Sequence, residues 1–420
     1  MNGEAADPAG IEAALILTRA DALAALSARG DSLERVHLSR EHAAANALVA
    51  EWMQAAGLST RQDAAGNQWG RLEGAEPGLP ALVLGSHIDT VPDAGRYDGM
   101  LGVLLAIQVA SRIDEGELPF ALEVVAFSDE EGTRFGTALL GSRAVAGSWD
   151  DAWFDRTDAD GVSVREAFAA FGLDPRRVRD AARRERDVIG YLEAHIEQGP
   201  HLEDGDRALG IVRSIAAAKR YRITVEGQAG HAGGTPLERR RDALAGAAEA
   251  LVAIEAIVRG GGSIATVGRI EAFPGGVNVI PGLVEFSLDL RAETDDARED
   301  TWRRIAEVLT EVTDRRGLSY RAVEDYRADA VHCAPWLMSA LAAAVEAVEP
   351  GPAPVLWSRA GHDGMAIADL ADFGMLFIRC AGGISHHPDE SVRSDDVRLA
   401  LLAFEGAVRA LGRDRTPVLP

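Results

Sequence analysis

Residues 85–106, GSHIDTVPDAGRYDGMLGVLLA, place a histidine directly behind the apolar run ALVLG and follow it with Asp89 and Asp98 among glycines. The run before His87 reads as a buried strand and MLGVLLAIQVA, after Gly99, as a helix. A strand that needed only burial would not set His87, Asp89 and Asp98 where the backbone leaves the core. Residues two apart in a strand share a face, so His87 and Asp89 point the same way. Taken singly, each could be an ordinary turn residue. What decides between the two is whether matching side chains recur at other strand ends.

They do. ALEVVAFS (121–128), VIGYLEAHIE (188–197) and GMLFIR (374–379) read as further buried strands. Helical patterns separate them, at about 11–28, 40–57, 99–113, after Pro335 and after Ser394; Ser163 and Glu166 form a capping box for a short helix. Strand–helix alternation predicts an α/β layer with a mostly parallel central sheet. From Lys219 the rhythm changes. KRYRITVEG is a strand, and Thr235, Pro236 and Glu238 carry N-cap, N1 and N3 signals for a helix reaching Val258. SIATVGRIE and VEFSLDLR are alternating strands, a helix spans about 296–316, and LSYRAV closes the set. That order is βαββαβ, a ferredoxin-like α+β unit. The expected fold is therefore two-domain α/β: a discontinuous domain, 1–213 and 331–420, with a compact inserted domain at 214–330.

The chain of 420 residues is 47% hydrophobic and carries a formal charge of −23. That charge argues against nucleic acid or an anionic membrane as partner. An anionic substrate would need a local cation to overcome the background field. Only Cys333 and Cys380 are present, which suits a reducing cytoplasm and no disulfide scaffold. MNGEAADPAG lacks the basic-then-apolar order of a secretory signal, and no apolar run is long enough to span a bilayer.

FSDEEGTRFG sets Glu130 and Glu131 at a strand end, EAHIEQGP does the same for His195, and GGISHHPDES places His386 and His387 in a glycine-flanked loop. In open α/β sheets ligands gather beyond the carboxyl ends of strands, where these side chains fall. Adjacent acids near a metal can divide the work, one ligating and the other moving a proton. Mixed imidazole and carboxylate donors suit zinc, and also manganese, cobalt or nickel. A pair of such ions suits hydrolysis.

Together GSHIDTV…YDG, DEEG.RFG, HIEQGP, GHAG..P, NVIPG…DLR, AGHD and GISHHPDE resemble the zinc-peptidase-like amidohydrolases related to aminoacylase and carboxypeptidase G. Within these, the chain is similar to the hydantoinase/carbamoylase branch over about 10–412. The resemblance implies two divalent ions per subunit. His87 and His195 would be terminal ligands, Asp98 the bridge, Glu131 a carboxylate ligand and His386, rather than His387, the last. Asp89 would orient His87. Glu130 would be the general base, and His231 would stabilise the oxyanion from the inserted domain. Gln198, Asn278 and Arg291 would hold a small anionic ureido substrate, Arg291 by its carboxylate. A homodimer through 214–330 is implied as well.

The wording lies nearer the allantoate enzymes of purine catabolism than the N-carbamoyl-L-amino acid hydrolases and β-ureidopropionases, so allantoate is the first expectation. An M20-like dipeptidase or aminoacylase, or a non-catalytic binding protein, are remoter readings. On the residues alone, Arg291 could be an edge charge, Asn278 a turn residue, and His362 and Asp363 a helix cap. There are two departures from the pattern. Ala217 and Ala218 stand where Gly-Gln is usual, and Arg359 stands where Gly is usual before AGHD.

Overall fold

The computed structural model describes residues 7–414. The chain divides into two compact units. The first takes residues up to Arg213, Cys333–Leu356 and the chain from Ala360; the second takes Ser214–His332 with Trp357–Arg359. The return crossing falls between His332 and Cys333 rather than at 330. There the Cys333 N–H donates to the Arg213 carbonyl at 2.9 Å.

In the first unit the strands Ala81–His87, Ala121–Phe127, Val188–Ile196 and Phe373–Ile378 are parallel neighbours. Antiparallel strands flank them, Gln68–Leu72 on one side and Leu209–Ile215 on the other. The mostly parallel α/β sheet is thus as expected. Such strands are covered on both faces and read as continuous apolar runs; Ala81–His87 and Ala121–Phe127 are buried throughout. The helix Met100–Ala110 is also buried at every position. It packs in one core with helices Pro8–Ala24, Pro335–Val348 and Ser394–Asp414. At about 1.5–3 kcal/mol for each fully buried Leu, Ile or Val, that core holds the sheet rigid beneath its strand ends.

Register puts the strand ends level. His87 pairs with Phe127, and His195 lies beside Phe377. The chain leaves the core at one edge of the sheet four times, and each exit carries one of the polar clusters read from the sequence.

In the second unit the strands Ala217–Glu226, Leu283–Ala292, Ile270–Phe273 and Ser319–Ala328 form an antiparallel sheet. Helices Ala243–Val258 and Asp295–Arg316 pack on one face, and their contacts bury alternate residues of the strands. The order, with Leu283–Ala292 and Ala217–Glu226 central, is that of the ferredoxin-like motif. Two details differ from expectation. SIATVGRIE forms two short strands, Ser263–Thr266 and Ile270–Phe273, both paired with Leu283–Ala292. The helix expected from Thr235 begins instead at Ala243, capped by Asp242, whose Oδ1 accepts the Leu244 and Ala245 N–H groups. Before it only a single 3₁₀ turn forms, Leu237–Arg239, after which Arg240 is extended and the Arg241 carbonyl accepts the Gln228 N–H at 2.8 Å. A second cap therefore wins over the first.

Candidate metal centre

Asp98 sits where the loop from the Ala81–His87 strand enters the helix Met100–Ala110. Its Oδ1 lies 3.6 Å from His87 Nε2 and 3.2 Å from His195 Nε2, while Oδ2 lies 3.1 Å from His386 Nε2. His386 Nε2 is in turn 3.5 Å from Glu131 Oε1. One carboxylate thus faces two donor sets, His87 with His195 and His386 with Glu131. The approach demands a glycine at 99, whose φ is +67°. A Cβ there would meet His87 Nε2 at 2.4 Å.

The imidazoles are turned toward this space. His195 Nδ1 contacts the Ile196 carbonyl at 2.9 Å, so it carries the proton and Nε2 presents its lone pair. That Nε2 is buried and has no hydrogen-bond partner. His87 Nδ1 likewise faces the Asp89 carbonyl at 3.1 Å. Two ring lone pairs and a carboxylate oxygen converging in a buried space form a donor-free cluster that a cation fits. Burial alone would lower His87, but Asp89 and Asp98 outweigh it and hold the ring well above its ordinary pKa. Burial would raise Asp98, yet His195, His386 and His87 pull it well below the usual carboxylate range.

Asp89 does more than face His87. Its carboxylate accepts the Glu130 N–H at 2.9 Å and the Glu131 N–H at 3.2 Å, which fixes the turn after Phe127. Behind it Arg35, fully buried, donates to the Ile88, Leu23 and Leu26 carbonyls and balances the Asp89 charge. The Glu130 carboxylate adjoins His87 and Glu131. Burial, with Asp89 and Asp98 adding like charge, pushes Glu130 up to about 7. Gly361 lies against it, where a Cβ would come within 3.3 Å of Oε1.

Gln198 donates to Asp98 Oδ2 at 2.9 Å, and its own Oε1 is buried without a partner. Gln198 and His386 both hold positive φ, 55° and 54°. Such backbone costs of order 1–3 kcal/mol and persists where surroundings over-determine it. His387 turns instead toward Asp389.

His231, Asn278 and Arg291 belong to the second unit. His231 is exposed, and its Nδ1 accepts the Gly234 N–H at 2.9 Å, leaving Nε2–H as the donor. The neighbouring Ala232 N–H donates to the Asn278 carbonyl. Arg291 is half-buried beside Asp289, and its Nη1 donates to the Arg359 carbonyl. Ala218 lies directly across the strand from it. The Arg359 guanidinium stacks over Trp357 at 4.6 Å.

Several residues went unread in the sequence. Glu390 accepts the Tyr97 and Asp98 N–H groups and the Ser385 hydroxyl, tying the loop of the bridging aspartate to the loop of His386. Gly95 makes room, since a Cβ there would strike Glu390 at 2.3 Å. Glu193, on the His195 face of its strand, accepts from Ser86 and the Gly364 N–H. A charge inside the apolar YLEAHI, two residues before a histidine, was the available signal. Asp363 is buried and makes no side-chain cap to the short helix after it.

The profile of peptidase family M20/M25/M40 matches residues 83–410. The chain is 40% identical to the N-carbamoyl-L-amino-acid amidohydrolase of Pseudomonas sp. (strain NS671), over 87% of this chain and 90% of that one. It is 39% identical to the allantoate deiminase of Arabidopsis thaliana, over 92% and 80%. Among solved structures, an amidase of the hydantoinase/carbamoylase family from Burkholderia multivorans superposes with a TM-score of 0.88 at 28% identity, covering 96% of this chain and 98% of its own. AtUAH in complex with glyoxylate gives 0.78 at 32%, with the same coverage.

Proposed function

On the premise that the chain belongs to peptidase family M20/M25/M40, we propose that it hydrolyses the terminal ureido C–N bond of a small carboxylate, allantoate first. The observation that carries hydrolysis is Asp98, one carboxylate turned toward two donor sets with Glu130 alongside. The ureido bond is supported by relatives of both kinds at about the same identity.

His87, Asp98 and His195 would hold one divalent ion, and Asp98, Glu131 and His386 a second. When bound, such a pair (zinc or manganese, with cobalt or nickel as alternatives) supplies Lewis acidity and an acidified water at neutral pH. Glu130 takes the proton from the attacking water and returns it to the departing nitrogen. Its carboxylate adjoins His87 and Glu131, within reach of the place where that water would sit. His231 donates from Nε2 to the developing oxyanion, where a positioned donor is worth most. Gln198 and Asn278 hold the ureido group, and Arg291 takes the carboxylate. Allantoate would yield ureidoglycine, ammonia and carbon dioxide.

N-carbamoyl-L-amino acids are the second reading, favoured by the 40% identical Pseudomonas relative. A substrate panel read by ammonia release decides. Turnover of allantoate above N-carbamoyl-L-methionine is the expected result, and turnover of N-carbamoyl-L-methionine with none of allantoate reverses the order.

The second unit serves as lid and dimerisation domain in this proposal, with His231 reaching the site of a partner subunit. Sedimentation should then show a homodimer whose specific activity falls on dilution to the monomer. A fully active monomer would contradict it. A cytoplasmic setting belongs to the proposal and rests on the low cysteine content of the sequence. Among the described residues no helix is long and apolar enough to cross a membrane.

A further inference from the structure

Asp289 and Arg291 stand two residues apart on the strand Leu283–Ala292, on the sheet face opposite the one buried by the two helices of the second unit. Arg291 commits the side of its guanidinium to that carboxylate. Nε–H donates to Oδ1 at 2.7 Å and Nη2 to Oδ2 at 3.2 Å. Nη1 donates to the Arg359 carbonyl at 2.6 Å. A guanidinium has five N–H groups. Three are used, and the two left over sit on Nη1 and Nη2.

Among the described residues no side-chain hydrogen bond but that to Asp289 orients Arg291. Its cross-strand partners are Ala218 on one side and Ile264 on the other, and neither side chain has a polar atom. The direction of the guanidinium rests on Asp289 and one backbone carbonyl. Asp289 is itself held from across the strand. Arg220, its register partner, donates Nε–H to Oδ2 at 3.0 Å, and the Arg220 guanidinium lies 4.9 Å from the centre of the Tyr326 ring. Two cations around one carboxylate leave the cluster positive, which an anion approaching a chain of charge −23 needs.

We propose that Asp289 is a positioning residue for substrate recognition, holding Arg291 so that its remaining N–H groups form a fork for the substrate carboxylate. This rests on the proposed function, in which Arg291 grips that carboxylate. Planar, two-pronged recognition depends on the angle at which the fork is presented. Asp289 also exerts a purely electrostatic effect of opposite sign, because an anion beside the guanidinium weakens its attraction for a second anion. The two effects predict opposite changes when the charge is removed.

The test is Asp289→Asn in the metal-loaded enzyme, assayed on the better substrate of the panel and on its neutral carboxamide. Circular dichroism and metal content verify that the variant is folded and loaded. Positioning predicts a KM for the carboxylate raised by about tenfold, equivalent to 1.4 kcal/mol, with kcat little changed and the carboxamide unaffected. Asp289→Ser, which can still donate and accept but cannot brace both nitrogens, should behave alike. A KM unchanged or lowered in both variants overturns the proposal. Arg291→Lys separates the premise from the inference. If its KM rises while the Asp289 variants do not change, only positioning fails; if its KM is also unchanged, Arg291 leaves the site and the proposal falls with it.

Discussion

Glu130→Gln is expected to keep its full metal content and its substrate affinity while turnover falls by about 10²–10⁴-fold, the range a positioned acid–base group contributes. The amide has the size of the carboxylate and leaves intact the Glu130 N–H bond to Asp89, so the turn stays in place. What it removes is a group able to take and return a proton. Equilibrium binding of substrate, measured by calorimetry on the loaded variant, should match the wild type, because the holding groups are assigned to Gln198, Asn278 and Arg291. Two outcomes would count against this. Unchanged turnover would take Glu130 out of its role. Lost metal would make Glu130 a ligand and leave the proton to another group. A binding protein that had merely kept the fold would show no turnover to lose.

The layers of the fold and the strand-end clusters were legible because each rests on a local signal. Continuous apolar runs announce strands buried on both faces, and a histidine or acid at the end of such a run breaks the pattern visibly. His87 and His195 sit at such breaks, and the sheet's register sets them beside Phe127 and Phe377, while Glu131 and His386 follow in the loops that leave those neighbouring strands. The start of the helix in the second unit was misread for an equally local reason. Thr235, Pro236 and Glu238 have the composition of an N-terminus, but only the 3₁₀ turn Leu237–Arg239 forms there, because the Arg241 carbonyl is taken by the Gln228 N–H from outside the stretch and Asp242 caps the helix instead. Glu390 and Arg35 were invisible for the same cause. Their partners, the 97–98 amides and the carbonyls of Ile88 and Leu23, are fixed only by tertiary structure. Asp89 was read as a partner of His87, while its shortest hydrogen bonds go to the Glu130 and Glu131 amides.

Replacing Asp98 by Ala should abolish metal binding at both donor sets, whereas His386→Ala should spare one. The difference follows from geometry. Oδ1 of Asp98 faces His87 and His195, and Oδ2 faces His386, so a single carboxylate completes two clusters. Without it each set keeps two donors from the protein, fewer than the three a catalytic zinc site typically uses. Loss of His386 leaves His87, Asp98 and His195 untouched, while Glu131 and the other Asp98 oxygen remain as a weak pair. Elemental analysis of the purified variants would read this directly, and thermal stability provides a second readout free of turnover. An ion that binds only the folded chain stabilises it by about 2.7 kcal/mol at a free concentration a hundredfold above Kd. Added zinc or manganese should raise the melting temperature of the wild type, raise that of His386→Ala by a smaller amount, and leave Asp98→Ala where it was. An Asp98→Ala protein that still took up its full complement and melted higher for it would mean that the two clusters do not share this carboxylate, and the paired centre would have to be rebuilt from other donors.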